Sequence, residues 1–201
     1  MEKEKKALLF LNGEVGSRLP PLLDYHGIFA IDGGYQKIKD RIAIDAIIGD
    51  FDSLKVDNNQ KITKIHTPNQ NYTDFEKALI YLIKEGFSAA DIYHASGEEG
   101  DHYLGNLSIA MQYHHKIKLN FFDDRQNYYY VNQTLNLNGV KDKIISLFPF
   151  PKAILSSQGL KWELNQHHLE IGKQLGLRNQ AIKNDVTIMH HQGGYFIYIG
   201  R

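Results

Sequence analysis

The chain has 201 residues, 23 lysines and arginines against 23 aspartates and glutamates, a formal net charge of zero and no cysteine. That length accommodates one large domain or two small ones with a buried core. The charge balance excludes a general nucleic-acid or anionic-membrane surface, which needs a basic excess, and the missing thiols exclude disulfides and thiolate metal sites. Residues 1–6 are charged and lead into only five apolar residues, so they do not read as a signal peptide. No apolar run approaches the ~20 residues of a membrane span, and a cytoplasmic protein is the expectation.

Residues 7–11 (Ala-Leu-Leu-Phe-Leu) read as a first buried strand closed by Asn12-Gly13-Glu14, and residues 28–31 as a second closed by Asp32-Gly33-Gly34. A short helix is expected over 35–40. Residues 46–48 (Ala-Ile-Ile) make a third strand, ended by Gly49, where the backbone can turn tightly. Asp50 and Asp52 follow. In extended chain, residues two apart point the same way, so both acids can reach one ligand. Like charges this close repel, and a hard divalent cation such as Mg²⁺ suits two oxygen donors; a solvated acidic turn is the plain alternative.

Residues 62–66 read as a fourth strand and 67–72 as a turn-rich loop. Thr73-Asp74-Phe75-Glu76 then matches a capping box. Phe75, Ala78, Leu79, Leu82 and Ile83 follow at helical spacing, with Gly86 as the stop. Asp74 in the first turn already has a structural reason in the helix dipole. Residues 91–95 read as a fifth strand, 96–102 as an acidic glycine turn, and a second long helix carries Leu104, Leu107, Ala110 and Met111. Residues 117–122 complete the set. Apolar strands without alternation, separated by helices, predict a parallel sheet covered on both faces. In such a sheet Asp32, Asp50, Asp52, Asp74 and Asp101 all fall on one edge, where α/β folds collect ligands. Without matching lysines, five acids there call for a metal and a phosphorylated substrate. Neither a Walker lysine motif nor Gly-x-Gly-x-x-Gly is present.

After about residue 125 the pattern changes. Residues 128–131, 144–148, 159–162, 186–189 and 195–199 are short aromatic or β-branched runs between turns rich in asparagine and glycine. They predict an all-β sandwich or small barrel. The expected division is therefore an α/β domain over 1–126, with a mostly parallel sheet, and an all-β sandwich over 127–201. The pairs His114-His115, His167-His168 and His190-His191 do not read as metal sites, because strand neighbours face opposite sides. Trp162 reads as a core residue by default.

Taken together, Asp32-Gly33-Gly34, Gly49-Asp50-Phe51-Asp52-Ser53, the run 70–79 from Gln70 to Leu79, Asp101-His102-Tyr103-Leu104-Gly105-Asn106 and Gly159-Leu160-Lys161-Trp162-Glu163-Leu164 resemble the thiamine pyrophosphokinase family. The resemblance implies transfer of a pyrophosphoryl group from ATP to the hydroxyl of thiamine, with Mg²⁺ as cofactor. It also implies an α/β catalytic domain followed by a thiamine-binding sandwich, in a homodimer with sites at the subunit interface. Carried over by position, Asp32, Asp50, Asp52 and Asp74 are the metal acids, with Asp50, Asp52 and Asp74 catalytic. Asp32, Gly33, Gly34, Asp101 and His102 would bind ATP, and Gln70, Asn179, Arg178 and Trp162 thiamine. Two positions depart from the family pattern: Glu99 stands where it has arginine, and Arg178 where it has serine before Asn179. A pyrophosphokinase for another hydroxymethyl heterocycle, or a catalytically weakened ligand-binding homologue, are the alternative readings.

Overall fold

The structure, a computed structural model, describes residues 4–51 and 62–201; Asp52 lies outside them. The chain divides into two compact units, Met1–Asp124 and Arg125–Arg201.

The first unit is a six-stranded parallel sheet: β1 (Lys6–Phe10), β2 (Gly27–Ile31), β3 (Ala46–Gly49), β4 (Thr63–His66), β5 (Ala89–Tyr93) and β6 (Lys118–Phe122), in the order β6-β5-β1-β2-β3-β4. The middle strands are largely apolar because both faces are covered, and the buried Asp91 in β5 is paired with Lys6 in β1 at 2.7 Å. Leu8, Leu9, Phe10, Ile47, Ile48 and Ile92 are fully buried, whereas edge strand β4 reads Thr-Lys-Ile-His and is largely exposed. The chain starts at β1, steps outward through β2, β3 and β4, then crosses back to β5 on the other side of β1. The loops after β1 and β5 therefore diverge, and such a divergence opens a crevice at the strands' carboxyl ends.

Three helices make the crossovers: α1 (Gly34–Ile38), α2 (Asp74–Lys84) and α3 (Gly100–Tyr113). Helix α1 is shorter than the 35–40 expected and packs Tyr35 and Ile38 on Phe10, Ala30 and Ile47. The capping box of α2 is only half formed. Thr73 Oγ1 accepts from Glu76 N at 3.2 Å, but the Glu76 carboxylate turns away from the cap. It accepts from Tyr113 Oη (3.0 Å) and Gln112 Nε2 (3.3 Å) on α3. Burial and this carboxylate push the Tyr113 phenol up to about 12, so it stays a donor at any ordinary pH.

The second unit is antiparallel: β7 (Gln126–Val131), β8 (Leu135–Leu137), β9 (Ile144–Gln158), β10 (His167–Glu170), β11 (Gly176–Gln180) and β12 (Val186–Gly200). Strands β9 and β12 are 15 residues each and pair along their length, with register shifts at His190/Gln192 and Gly193/Tyr195. The first half of β9 and the second half of β12 are flanked by β11 and β7; the opposite halves are flanked by β10 and β8. One core draws Ile145, Leu147 and Ile197 from the former half and Leu155, Leu169 and Ile188 from the latter. Bends of this kind let a strand serve two layers.

Several expectations are corrected here. The runs 186–189 and 195–199 are one strand, because Gly193-Gly194 is a bend rather than a turn. Gly193 has φ +77°, and a Cβ there would collide with the Lys152 carbonyl. Residues 159–162 do not form a strand; Leu160 makes a lone bridge to Ala181. The short polar strands β8, β10 and β11 carry few β-branched or aromatic residues, which is why sequence pattern passes over them.

Glu76→Ala is expected to destabilise the first unit by about 1–3 kcal/mol, the cost of a buried hydroxyl left unpaired. Combined with Tyr113→Phe, the loss should fall clearly below the sum of the two single losses in denaturant titrations. Additive losses would show that the Glu76–Tyr113 bond contributes nothing.

Candidate active site

The crevice between the loops after β1 and β5 is a cleft of about 580 Å³. Its wall brings together Asp32 after β2, Asp50 after β3, Gln70 and Asp74 at the entry to α2, and Asp101 and His102 in the first turn of α3. The sequence-predicted acids among the described residues thus share one edge, as parallel strands require.

Sequence reasoning missed the counter-charge. Lys77 is only 6% exposed, and its Nζ lies 3.0 Å from Asp74 Oδ1 and 3.6 Å from Asp50 Oδ2. Helical spacing puts Lys77 one turn beyond Asp74 on the same face, a signal the sequence did carry. Asp50 follows β3 and is remote in sequence from Lys77, so only the tertiary structure completes the triad. Gln70 Nε2 also donates to Asp50 Oδ2 at 3.1 Å. Among the described lining residues Lys77 is the one lysine or arginine. Lys37, not itself a lining residue, is held by the carbonyls of Asn12 (2.6 Å) and Gly13 (2.9 Å) and by Glu98, all of which line the cleft. Arg41 donates to the Gly16 carbonyl at 3.2 Å.

Gly33 and Gly34 are not among the residues that line the cleft. Gly34 answers to packing: a Cβ there would lie 2.6 Å from the Leu11 carbonyl and 2.7 Å from that of Phe10. The tight N-terminus of α1 against β1 needs a residue without a side chain. Glu99, at the family's arginine position, lies with Asp101 and His102 so that one ligand atom from each falls within 4.8 Å of the others, all exposed. Among the described residues no other such triple occurs, so Asp32, Asp50 and Asp74 share the cleft without closing on a common point. That arrangement fits Mg²⁺, which is commonly held by one or two carboxylates plus substrate phosphates rather than by an all-protein cage.

His94 also lines the cleft, though nothing in the sequence marked it. It is 4% exposed, has φ +57°, packs on the Phe10 ring at 5.3 Å, and neither ring nitrogen has a hydrogen-bond partner among the described residues. Burial, then the nearby Arg41 and Lys37 cations, lower its pKa to about 4, against the opposing pull of Asp124.

In the second unit, Asn179 is 8% exposed and fully engaged. Its Oδ1 accepts from Trp162 N (3.1 Å) and Gln180 N (2.8 Å), and its Nδ2 donates to the Trp162 carbonyl (2.6 Å). Its work is to hold the Trp162 backbone. Trp162 is 58% exposed, with Lys161 Nζ 4.7 Å from its ring centroid, which corrects the default reading of this residue as core. Arg178 stands in the left-handed region at φ +55° and is exposed.

The depressed His94 pKa has a sign for stability. The unfolded chain binds a proton near 6.5 that the folded chain refuses until about 4, so stability falls as pH drops through this window, by about 3 kcal/mol once below it. His94→Gln should flatten the unfolding free energy between pH 7 and 4 by that amount. An unchanged slope would assign the acid sensitivity to other groups.

Two family models match the chain: thiamin pyrophosphokinase, catalytic domain, over residues 24–121, and thiamin pyrophosphokinase, vitamin B1 binding domain, over residues 131–193. The chain is 26% identical over 208 residues to thiamine pyrophosphokinase of Bacillus subtilis (strain 168), covering 94% of this chain and 95% of the relative. It is 27% identical over 178 residues to thiamin pyrophosphokinase 1 of Caenorhabditis elegans, covering 79% and 73%. In fold it resembles the crystal structure of the Bacillus subtilis enzyme (TM-score 0.81, 21% identity, 98% and 99% covered) and that of yeast thiamin pyrophosphokinase (TM-score 0.84, 15% identity, 100% and 87% covered). With both models of the same family matched in order along it, the chain belongs to the thiamin pyrophosphokinase family.

Proposed function

We propose that the protein is a thiamine pyrophosphokinase, an ATP-dependent pyrophosphotransferase that moves the β,γ-diphosphate of ATP to the hydroxyl of thiamine and releases AMP. The observation that carries this reading is the acid-lined cleft at the switch between β1 and β5, whose acids Asp32, Asp50, Asp74 and Asp101 fall within the segment matched by the catalytic model. Phosphoryl transfer of this kind is mostly positioning and charge neutralisation. Mg²⁺, when bound, would screen the triphosphate. Asp32, Asp50 and Asp74, with Asp52 as the resemblance implies, would hold it. Lys77 orients the Asp50 and Asp74 carboxylates and leaves the three groups with a net single negative charge, a site matched to a cation. Asp101 and His102, at the start of α3, are read as the nucleotide contacts.

Gln70 and the Trp162 ring are read as the thiamine contacts, with Asn179 acting through the Trp162 backbone it binds. An exposed indole suits a cationic heterocycle stacked on its face. We read the second unit as a two-layered sandwich on the strength of its shared core, the enzyme as a homodimer with sites at the subunit interface, and its setting as cytoplasmic. Among the described residues no helix is long and apolar enough to cross a membrane.

Incubation with Mg-ATP and thiamine should give AMP and thiamine diphosphate in equal amounts; their absence would overturn the reading. Asp50→Asn and Asp52→Asn should each cost about 10²-fold or more in rate, the usual scale for a lost electrostatic group. Lys77→Met should lower the rate, because the two partly buried acids lose the cation that orients them and are left to repel. Near wild-type turnover at saturating Mg²⁺ would remove the residue concerned from the site. If Gln70→Ala and Asn179→Ala homodimers are both inactive, random subunit exchange between them should restore about a quarter of all sites, since mixed dimers gather both lesions in one site. No recovery after confirmed exchange would mean that each site is built within one chain.

A further inference from the structure

The second unit carries a cleft of about 630 Å³ that shares only Arg178 with the residues the family resemblance assigns to the reaction. Its floor is the outward face of β9 and β12. Ile145, Leu147, Ile197 and Ile199 point into the core, so the alternate residues Ser146, Tyr198 and Gly200 face the other way and line the cleft. Around this floor stand Arg125, Lys141, Lys143, Arg178 and Arg201, with Asp142 as the single acid. Five cationic side chains thus stand against one acidic side chain, in a chain whose formal net charge is zero.

The main chain fixes these cations in place. Arg178 N donates to Ser146 Oγ at 2.9 Å across the β11 irregularity. Asp142 N donates to the Ala181 carbonyl (2.9 Å) and Ala181 N to the Lys143 carbonyl (3.0 Å), clamping the lysine-bearing turn. Arg201 N donates to the Arg125 carbonyl at 3.0 Å and joins the two ends of the unit. Among the described residues, Lys141, Lys143 and Arg178 form no ion pair. Held this close, like charges raise the local potential by an amount that only a multivalent anion offsets. Arginine forks match phosphate oxygens in pairs, and lysines supply point charges to them. The volume lies in the range of small-molecule sites.

We propose that this cleft is a binding site for a small ligand bearing a di- or triphosphate group, made from second-unit residues alone. The floor adds hydroxyl groups from Ser146 and Tyr198. The inference does not depend on which acceptor the enzyme phosphorylates.

The test is calorimetric titration of the full chain with inorganic diphosphate, inorganic triphosphate and a nucleoside diphosphate in EDTA, so that no metal draws phosphate to the acid-lined cleft. Binding of the inorganic ions should weaken about tenfold or more in Lys141→Gln/Lys143→Gln, the scale of two lost charge-assisted contacts. It should be unchanged in Lys152→Gln/Lys183→Gln, which removes the same charge elsewhere on the unit. All four positions are surface side chains, and their main-chain bonds survive the change. Equal affinity for inorganic and nucleoside diphosphate supports recognition of the phosphates alone; tighter binding of the nucleoside supports a nucleotide as the source. Absent binding by the wild type, equal weakening in both double variants, or tighter binding of a short single-stranded oligonucleotide than of triphosphate would each overturn the proposal.

Discussion

A lysine ammonium almost wholly withdrawn from solvent is tolerable only when opposite charge meets it, and Lys77 meets two carboxylates. One, Asp74, is its own helix neighbour; the other, Asp50, ends a strand in the sheet. The contact thus fixes the approach of α2 to the carboxyl edge of β3, and with it the position of Gln70, which reaches back to the same Asp50 oxygen. Removing either acid leaves a buried cation half-compensated, and removing the lysine leaves two acids facing each other. A site that must accept and release a metal-bound phosphate benefits from this arrangement. The acids are held in position beforehand, and the residual formal charge of the group is negative.

The rest of the cleft follows from topology. The path β1 to β4 and back to β5 separates the loops that follow β1 and β5, and the crevice between them is where α/β sheets hold ligands. His94 sits at the root of one of those loops in a left-handed backbone conformation. Its imidazole is kept neutral by burial and by surrounding cations, so it adds no charge to a crevice already crowded with carboxylates. Glu76 performs a similar structural office between helices, accepting from Tyr113 and Gln112 instead of completing the cap.

Net neutrality of the chain conceals two opposed surfaces. The first unit concentrates acids around one lysine, whereas the second collects five cations around one acid. Composition averages the two away, and for that reason a zero net charge says little about which ligands an individual cleft will favour.

What the sequence determined by itself is local. The apolar strands of the parallel sheet, the placement of acids at strand ends, and helix α2 with its Thr73 cap are written in runs and spacings a few residues long, and residues that close interact in any context. The family motifs carried the activity for the same reason, being short and ordered along the chain. What only the tertiary structure decided involves partners remote in sequence. It joined Lys77 to Asp50, turned Glu76 toward α3, spent the Asn179 amide on the Trp162 backbone, and left Trp162 exposed instead of in the core. It also made single strands of β9 and β12, whose mutual ladder pairing continues across the register shifts at His190/Gln192 and Gly193/Tyr195.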